Sequence, residues 1–317
     1  MTDCFKRFNM SGKLMNTQNK PTLEDMIVTD KEISGYMDKR DNNEHTKIKR
    51  PSQYSDEIES YFADDLNGGT PLPFDKTHDD FKVRDGELTI VSGYSGHGKT
   101  MWLSYVMLHL LKDQKTLIGS FEMTPRATLG RMLMQTGNPN PTRVYIDDFI
   151  SKVEHKLFLY DAEGETSTKK VLEVIYYAAE KLNVKLFVID SLMKVGINED
   201  DLNGQKAFAN KMAVAARDLG VHIFLVAHSR KTADEHGSPS KFDVAGSANL
   251  TNMADNVLSV HRNKAKEAER ANGAMDPDIM QQPDCVVYLN KQRHGNGKEG
   301  SWGFSFNPET FQYGETW

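Results

Sequence analysis

Two cysteines in 317 residues are too few for a thiolate-rich zinc site, and pairing Cys4 with Cys285 would make no disulfide framework. Such scarcity fits a reducing, cytosolic setting. Long hydrophobic runs are also missing. The most apolar stretch, after Thr100, is interrupted by His109 and Lys112, so no membrane span is expected. The first residues hold no apolar segment of the kind a secretory signal requires. Excess positive charge is absent as well, with 39 Lys and Arg against 45 Asp and Glu and a formal charge of −6. That excludes a surface coated in basic residues, but not a few cations gathered in an inner channel. What is present is a globular composition, 38% hydrophobic and 26% charged. The length suits two domains, or one large α/β domain with an extension.

Residues 1–50 are polar, rich in Asn, Lys, Asp and Thr, and lack sustained periodicity, so a flexible arm is expected there. A linker helix is predicted within residues 51–73, where Tyr54, Ile58, Tyr61, Phe62 and Leu66 follow amphipathic spacing. Asn67-Gly68-Gly69 and the prolines at 71 and 73 stop it. Its apolar face either packs on its own domain or docks on a neighbouring subunit. From Phe74 to residue 317 the pattern alternates in the α/β manner. Strands are predicted at Leu88–Ser92, Thr116–Phe121, Leu186–Ile189, Ile223–Ala227 and Val257–Val260. Helices are predicted over 100–112, 125–136, 169–182 and 204–219. Lys264–Gln282 reads as a polar surface insertion, and the tail from Cys285 alternates as antiparallel strands would.

Gly93-Tyr94-Ser95-Gly96-His97-Gly98-Lys99-Thr100 fits G-x-x-x-x-G-K-[ST], after an apolar strand and at the start of a helix. In that context the glycines let backbone N–H groups turn inward around phosphate oxygens, and the helix N-terminus adds partial positive charge. Lys99 then reaches the β- and γ-phosphates and Thr100 ligates Mg²⁺, so ATP or another NTP or dNTP is the expected ligand. Gly93, Ser95, Gly96, His97, Gly98, Lys99 and Thr100 form the predicted cradle. Phe187-Val188-Ile189-Asp190 puts an acid at the end of a buried strand, where Asp190 would serve the same Mg²⁺. Glu122 follows the second strand and is placed to orient or deprotonate the attacking water. It also stands just before a helix starting at Thr124-Pro125, where an acid is stabilising for local reasons alone. His228 ends the strand Ile223–Ala227 and can donate to the γ-phosphate, coupling hydrolysis to the loop beyond it.

With these motifs placed, residues from Phe74 to Tyr313 resemble the DnaB-like replicative helicases, in particular the helicase domain of phage primase–helicases and mitochondrial Twinkle. The resemblance rests on ordered blocks: Gly86-Glu87-Leu88-Thr89, Ser120-Phe121-Glu122-Met123, Ile189-Asp190-Ser191-Leu192, Ala227-His228-Ser229-Arg230-Lys231, Gly246-Ser247-Ala248 with Ala254-Asp255-Asn256-Val257, and Asn290-Lys291-Gln292-Arg293. It implies a RecA-like P-loop core, with a mainly parallel sheet flanked by helices and a C-terminal antiparallel extension. It further implies that Lys291 and Arg293 reach a neighbouring subunit's nucleotide and stabilise transition-state charge. Phe306 matches the family's base-stacking aromatic.

The DNA contacts also follow from the resemblance. The loop after His228, with Arg230, Lys231 and Lys241, and the stretch carrying Gly246, Ser247 and Asn249 would line a channel and hold single-stranded DNA by its phosphates. Asp234 and Glu235 keep the first loop's net charge small. The function implied is a ring-forming replicative helicase, a hexamer, that hydrolyses NTP to translocate on single-stranded DNA and unwind the duplex at a replication fork. A RecA-like filament or an accessory ATPase that does not unwind is the alternative. The chain ahead of Phe74 is too short for the family's primase module. A separate primase and DNA polymerase are therefore the expected partners, and economy suggests a virus or phage protein in the host cytoplasm.

Overall fold

The computed structural model describes residues 50–63, 68–162, 166–198, 200–228, 247–273, 276–295 and 297–315. The N-terminal arm before residue 50, and Arg230, Lys231, Lys241 and Gly246, lie outside the described residues. A short 3₁₀ turn, Pro51–Tyr54, leads into α1 (Ser55–Ala63). A two-stranded ribbon, β1 (Thr70–Pro71) and β2 (Lys82–Val83), opens the core.

The central sheet is built from β3 (Leu88–Ser92), β4 (Thr116–Ser120), β5 (Leu157–Leu159), β6 (Leu186–Asp190), β7 (His222–Val226) and β8 (Asn256–Arg262), all parallel where they pair. Beyond β8 the sheet turns antiparallel through β9 (Cys285–Gln292), β10 (Gly300–Phe306) and β11 (Tyr313–Glu315). The spatial order is β11-β10-β9-β8-β3-β7-β6-β4-β5. This is the RecA-like arrangement expected, mainly parallel with an antiparallel extension.

The helices are α2 (Lys99–Leu110), α3 (Pro125–Met134), α4 (Arg143–Val153), α5 (Thr168–Leu182), α6 (Leu202–Leu219), α7 (Ser247–Met253), α8 (Lys264–Asn272) and α9 (Pro277–Met280). Period-2 alternation divides the central strands between two cores. Ile90, Phe187, Ile189, Ile223 and Leu225 face one side, against Val174 and Ile175 of α5 and Phe208 and Met212 of α6. Val91, Leu186, Val188, Phe224 and Val226 face the other, against Trp102, Leu103 and Val106 of α2. Both faces are apolar because helices cover both. The covering helices are locally encoded. In α5, Val171, Val174, Ile175 and Ala178 form one stripe, Ser167 caps the start by accepting from the Lys170 N–H, and Asn183 ends it at φ 57°.

Neither α4 nor β5 was expected from sequence. In α4 only Phe149 is buried, so its apolar stripe is weak, and β5 is a three-residue edge strand. The segment read as a polar surface insertion, Lys264–Gln282, lies between β8 and β9 with most of its described residues exposed and folds as α8 and α9, with Lys266 buried and paired to Asp284 at 3.1 Å. Among the described residues no helix is long and apolar enough to cross a membrane.

Candidate nucleotide site

Because β3, β4, β6 and β7 run parallel, the residues that follow each of them arrive at one edge of the sheet. There the loop Gly93–Gly98 leaves β3 and α2 begins at Lys99. Gly93 has φ 148°, and a Cβ on it would lie 2.4 Å from the Val260 carbonyl oxygen, so the loop presses on β8 where only glycine fits. Gly96 and Gly98 take φ 77° and 84°.

Lys99 is buried, and its Nζ donates to the Gly93 and Tyr94 carbonyls at 2.8 and 3.0 Å, with His228 Nδ1 at 3.5 Å. Burial pushes its ammonium down to about 8, opposed by the carboxylates of Asp190 and Glu122. The Thr100 hydroxyl donates to Asp190 Oδ2 at 2.5 Å. Asp190 is 2% exposed, and burial raises its pKa, with the Thr100 hydrogen bond acting the other way. Its Oδ1 is buried without a partner among the described residues. A spare buried carboxylate oxygen beside a hydroxyl suits a hard, oxygen-seeking cation, so these residues fit Mg²⁺.

Glu122, which follows β4, meets groups from the ends of β6 and β7. Its Oε1 accepts from Ser191 Oγ at 2.9 Å and lies 3.2 Å from His228 Nε2. The His228 hydrogen bond draws its pKa down to about 2, against partial desolvation and with help from Ser191. The carboxylate is thus ionised throughout the working pH range. Ser191 had no role in the sequence reading, although it sits within a quoted block. Only the approach of β6 to the end of β4 makes its hydroxyl a partner of Glu122.

The His97 side chain points away from this cluster. It is 1% exposed, its Nδ1 accepts the Arg262 N–H at 3.2 Å, and its ring packs between Tyr94 and His261. Burial first, then neighbouring cations, lowers its pKa to about 4. The imidazole therefore ties the loop to the end of β8. Ser95 lies exposed in the same loop. Phe306 is half-buried, packed on Tyr313 at 5.1 Å and stacked on Phe311 at 6.3 Å. The Tyr313 hydroxyl lies 3.3 Å from where a Cβ on Gly98 would be, so this aromatic shelf borders the cradle.

Lys291 and Arg293 are elsewhere. The end of β9 lies against the start of β8, where Arg293 N–H donates to the Asp255 carbonyl at 2.8 Å. Arg293 Nη1 pairs with Asp255 Oδ1 at 2.9 Å, and Lys291 Nζ donates to the Thr251 and Ala254 carbonyls, each at 2.7 Å. Asp255 also bonds Leu88, the first residue of β3, whereas the phosphate loop follows its last. The two sites are separated by the length of that strand, roughly 16 Å at an extended rise. Ser247 and Asn249 are placed on α7 by the backbone.

The fold and these side chains define a P-loop nucleoside triphosphatase core of RecA-like architecture. The chain belongs to the AAA domain family, whose signature matches residues 52–234. It is similar to the Twinkle homolog protein, chloroplastic/mitochondrial, of Arabidopsis thaliana, 24% identical over 243 residues covering 68% of this chain and 34% of that protein. It is also similar to the circadian clock oscillator protein KaiC of a Picosynechococcus species, 27% identical over 170 residues, covering 50% of this chain and 31% of that one. The chain spans about a third of the length of these curated relatives. Among solved structures, a DnaB-like replicative helicase studied with primase superposes with TM-score 0.66 at 14% identity, covering 85% of this chain and 68% of that chain. A second solved structure, an isolated ATPase domain, gives 0.65 at 16% identity, covering 88% of this chain and 100% of that one. The likeness to DnaB-like helicases read from the motif blocks is borne out in fold.

Proposed function

We propose that this chain is the motor of a ring-forming replicative DNA helicase, separating duplex DNA by NTP-driven movement along a single strand. The observation that carries the reading is the separation just described. Lys291 and Arg293 lie at the opposite end of β3 from their own phosphate loop, so the cations serve a nucleotide only across an interface between copies. The similarity to a Twinkle homologue and the fold shared with a DnaB-like helicase supply the class of work such an interface drives.

In this reading Lys99 leaves its carbonyl partners for the β- and γ-phosphates, and the Gly96–Lys99 backbone wraps the phosphate oxygens. Bound Mg²⁺ would neutralise charge shared by the β- and γ-phosphates, held by Thr100 and Asp190. Glu122, ionised and fixed by Ser191 and His228, orients a water by accepting its hydrogen bond. The lowered pKa keeps the carboxylate ionised, the form that can orient the water or take its proton. His228 touches both Glu122 and Lys99, so a change at the phosphates is felt at the end of β7. Phe306 offers its ring to the base, and Arg230, Lys231, Lys241, Gly246, Ser247 and Asn249 are the residues assigned to single-stranded DNA. Residues 1–50 are assigned as an arm, 51–73 as the linker and 74–317 as the motor domain. Hexamers, a separate primase and polymerase, and a viral or phage origin complete the reading.

A forked duplex with one end labelled tests it. Assembled protein with ATP and Mg²⁺ is expected to release the labelled strand, and Lys99→Ala to release none. Hydrolysis without strand separation would leave a DNA-bound ATPase and remove the helicase assignment.

A further inference from the structure

Arg293 does not project freely. Its Nη1 pairs with Asp255 Oδ1 at 2.9 Å, its Nη2 donates to the Asn252 carbonyl at 3.0 Å, and its backbone is bonded to Asp255 as well. The carboxylate that holds it is itself immobilised. Asp255 has a side chain only 4% exposed, its Oδ2 accepts the Leu88 N–H at 3.0 Å, and its own N–H donates to the Leu88 carbonyl at 2.9 Å. Asp255 thus links the guanidinium to the root of β3, the strand whose far end carries the phosphate loop.

The Arg293 side chain, by contrast, is 40% exposed and stands on the wall of a cavity of about 970 Å³ lined also by Arg84, Arg217, Glu87 and His294. Among the described residues, the two side-chain contacts engage two of the five guanidinium N–H donors, which leaves others for an oxyanion. An unheld Arg side chain carries large rotamer entropy, and fixing it before the reaction removes that cost from the transition state.

We propose that Asp255 is the positioning residue for Arg293, holding its guanidinium at the mouth of the cavity in the pose from which it reaches a neighbouring copy's nucleotide. This rests on the reading of Arg293 as acting between copies. Asp255 touches no nucleotide; it acts through Arg293. It stands in one of the motif blocks without a role of its own there, because Asp255 and Arg293 come together only through the β8–β9 pairing.

The test uses the full-length protein with ATP, Mg²⁺ and a single-stranded oligonucleotide. In Asp255→Asn the amide oxygen still accepts the Leu88 N–H, while the amide N–H₂ replaces the acceptor that faces Arg293. The expected result is an unchanged unfolding midpoint and nucleotide Kd, with kcat lowered about tenfold or more and KM unchanged. Mixing with Lys99→Ala protein should raise turnover, because those copies present an intact Asp255–Arg293 pair to the competent loops of their neighbours. A wild-type kcat, or a loss that mixing does not relieve, overturns the proposal. Should Asp255→Asn lose nucleotide binding, the fold has moved, and Asp255→Ser takes its place with the same two outcomes. The failures are separable: full turnover in Arg293→Ala removes the reading of Arg293, whereas a silent Arg293→Ala beside a fully active Asp255→Asn removes the role of Asp255 alone.

Discussion

Lys99 shows how burial shapes a charge. Desolvation lowers its pKa from 10.5 to about 8, with Asp190 and Glu122 pulling the other way. Only the protonated form attracts phosphate, so nucleotide affinity should be fully present below about 8 and fall as pH rises through it, by up to about tenfold per unit. Stability moves in the opposite sense. Between about 8 and 10.5 the unfolded chain binds the proton more tightly, so the free fold gains stability with rising pH. Fluorescent-nucleotide titrations from about pH 6.5 to about 9.5 check the first trend. A flat Kd across that span would mean Lys99 is not the phosphate cation. At this scale the sequence was most legible for the cradle, whose residues are neighbours in the chain. It was least legible for His97. A P-loop position alone says nothing of a side chain that turns away to take the Arg262 N–H.

At the scale of elements, α1 stands out because the described residues of its apolar stripe are exposed. Tyr54, just before it, and Ile58 and Phe62 within it are 36%, 51% and 71% exposed. Docking on a second copy is the proposal to be tested. Ile58→Asp is expected to weaken assembly by at least about tenfold, since burying such a side chain is worth about 1.5–3 kcal/mol. Subunit unfolding and ATP binding should be unaffected. Mass photometry across a concentration series measures this, and unchanged assembly would return the stripe to an incidental surface. Long, strongly patterned elements such as α5 and α6 were readable, because their apolar spacing and caps are local. α4 and β5 were not, since one buried Phe149 and a three-residue edge leave little periodic signal.

For the whole molecule the proposed function implies a shared site. Arg293→Ala should bind nucleotide normally yet lose hydrolysis by at least about a hundredfold, the scale of removing a transition-state donor. Lys99→Ala is silent for a different reason. Mixed assemblies of the two should regain some turnover, because a Lys99→Ala copy can lend its Arg293 to a competent loop. Steady-state phosphate release over a range of mixing ratios gives the answer, and no rescue at any ratio would count against a site between copies.

The sequence by itself determined the elements and the chemistry carried by contiguous residues: the strand–loop–helix cradle, the acid ending β6, the apolar faces of α5 and α6. These depend on spacing within a few residues, where hydrophobic periodicity and backbone preference act directly. Only the tertiary structure decided which distant groups meet. Parallel pairing of β4, β6 and β7 brings Ser191 and His228 onto Glu122, and antiparallel pairing of β9 with β8 delivers Arg293 to Asp255 instead of to its own phosphates. Sheet order is set by which faces bury together across the whole chain, and no local window of sequence contains that information.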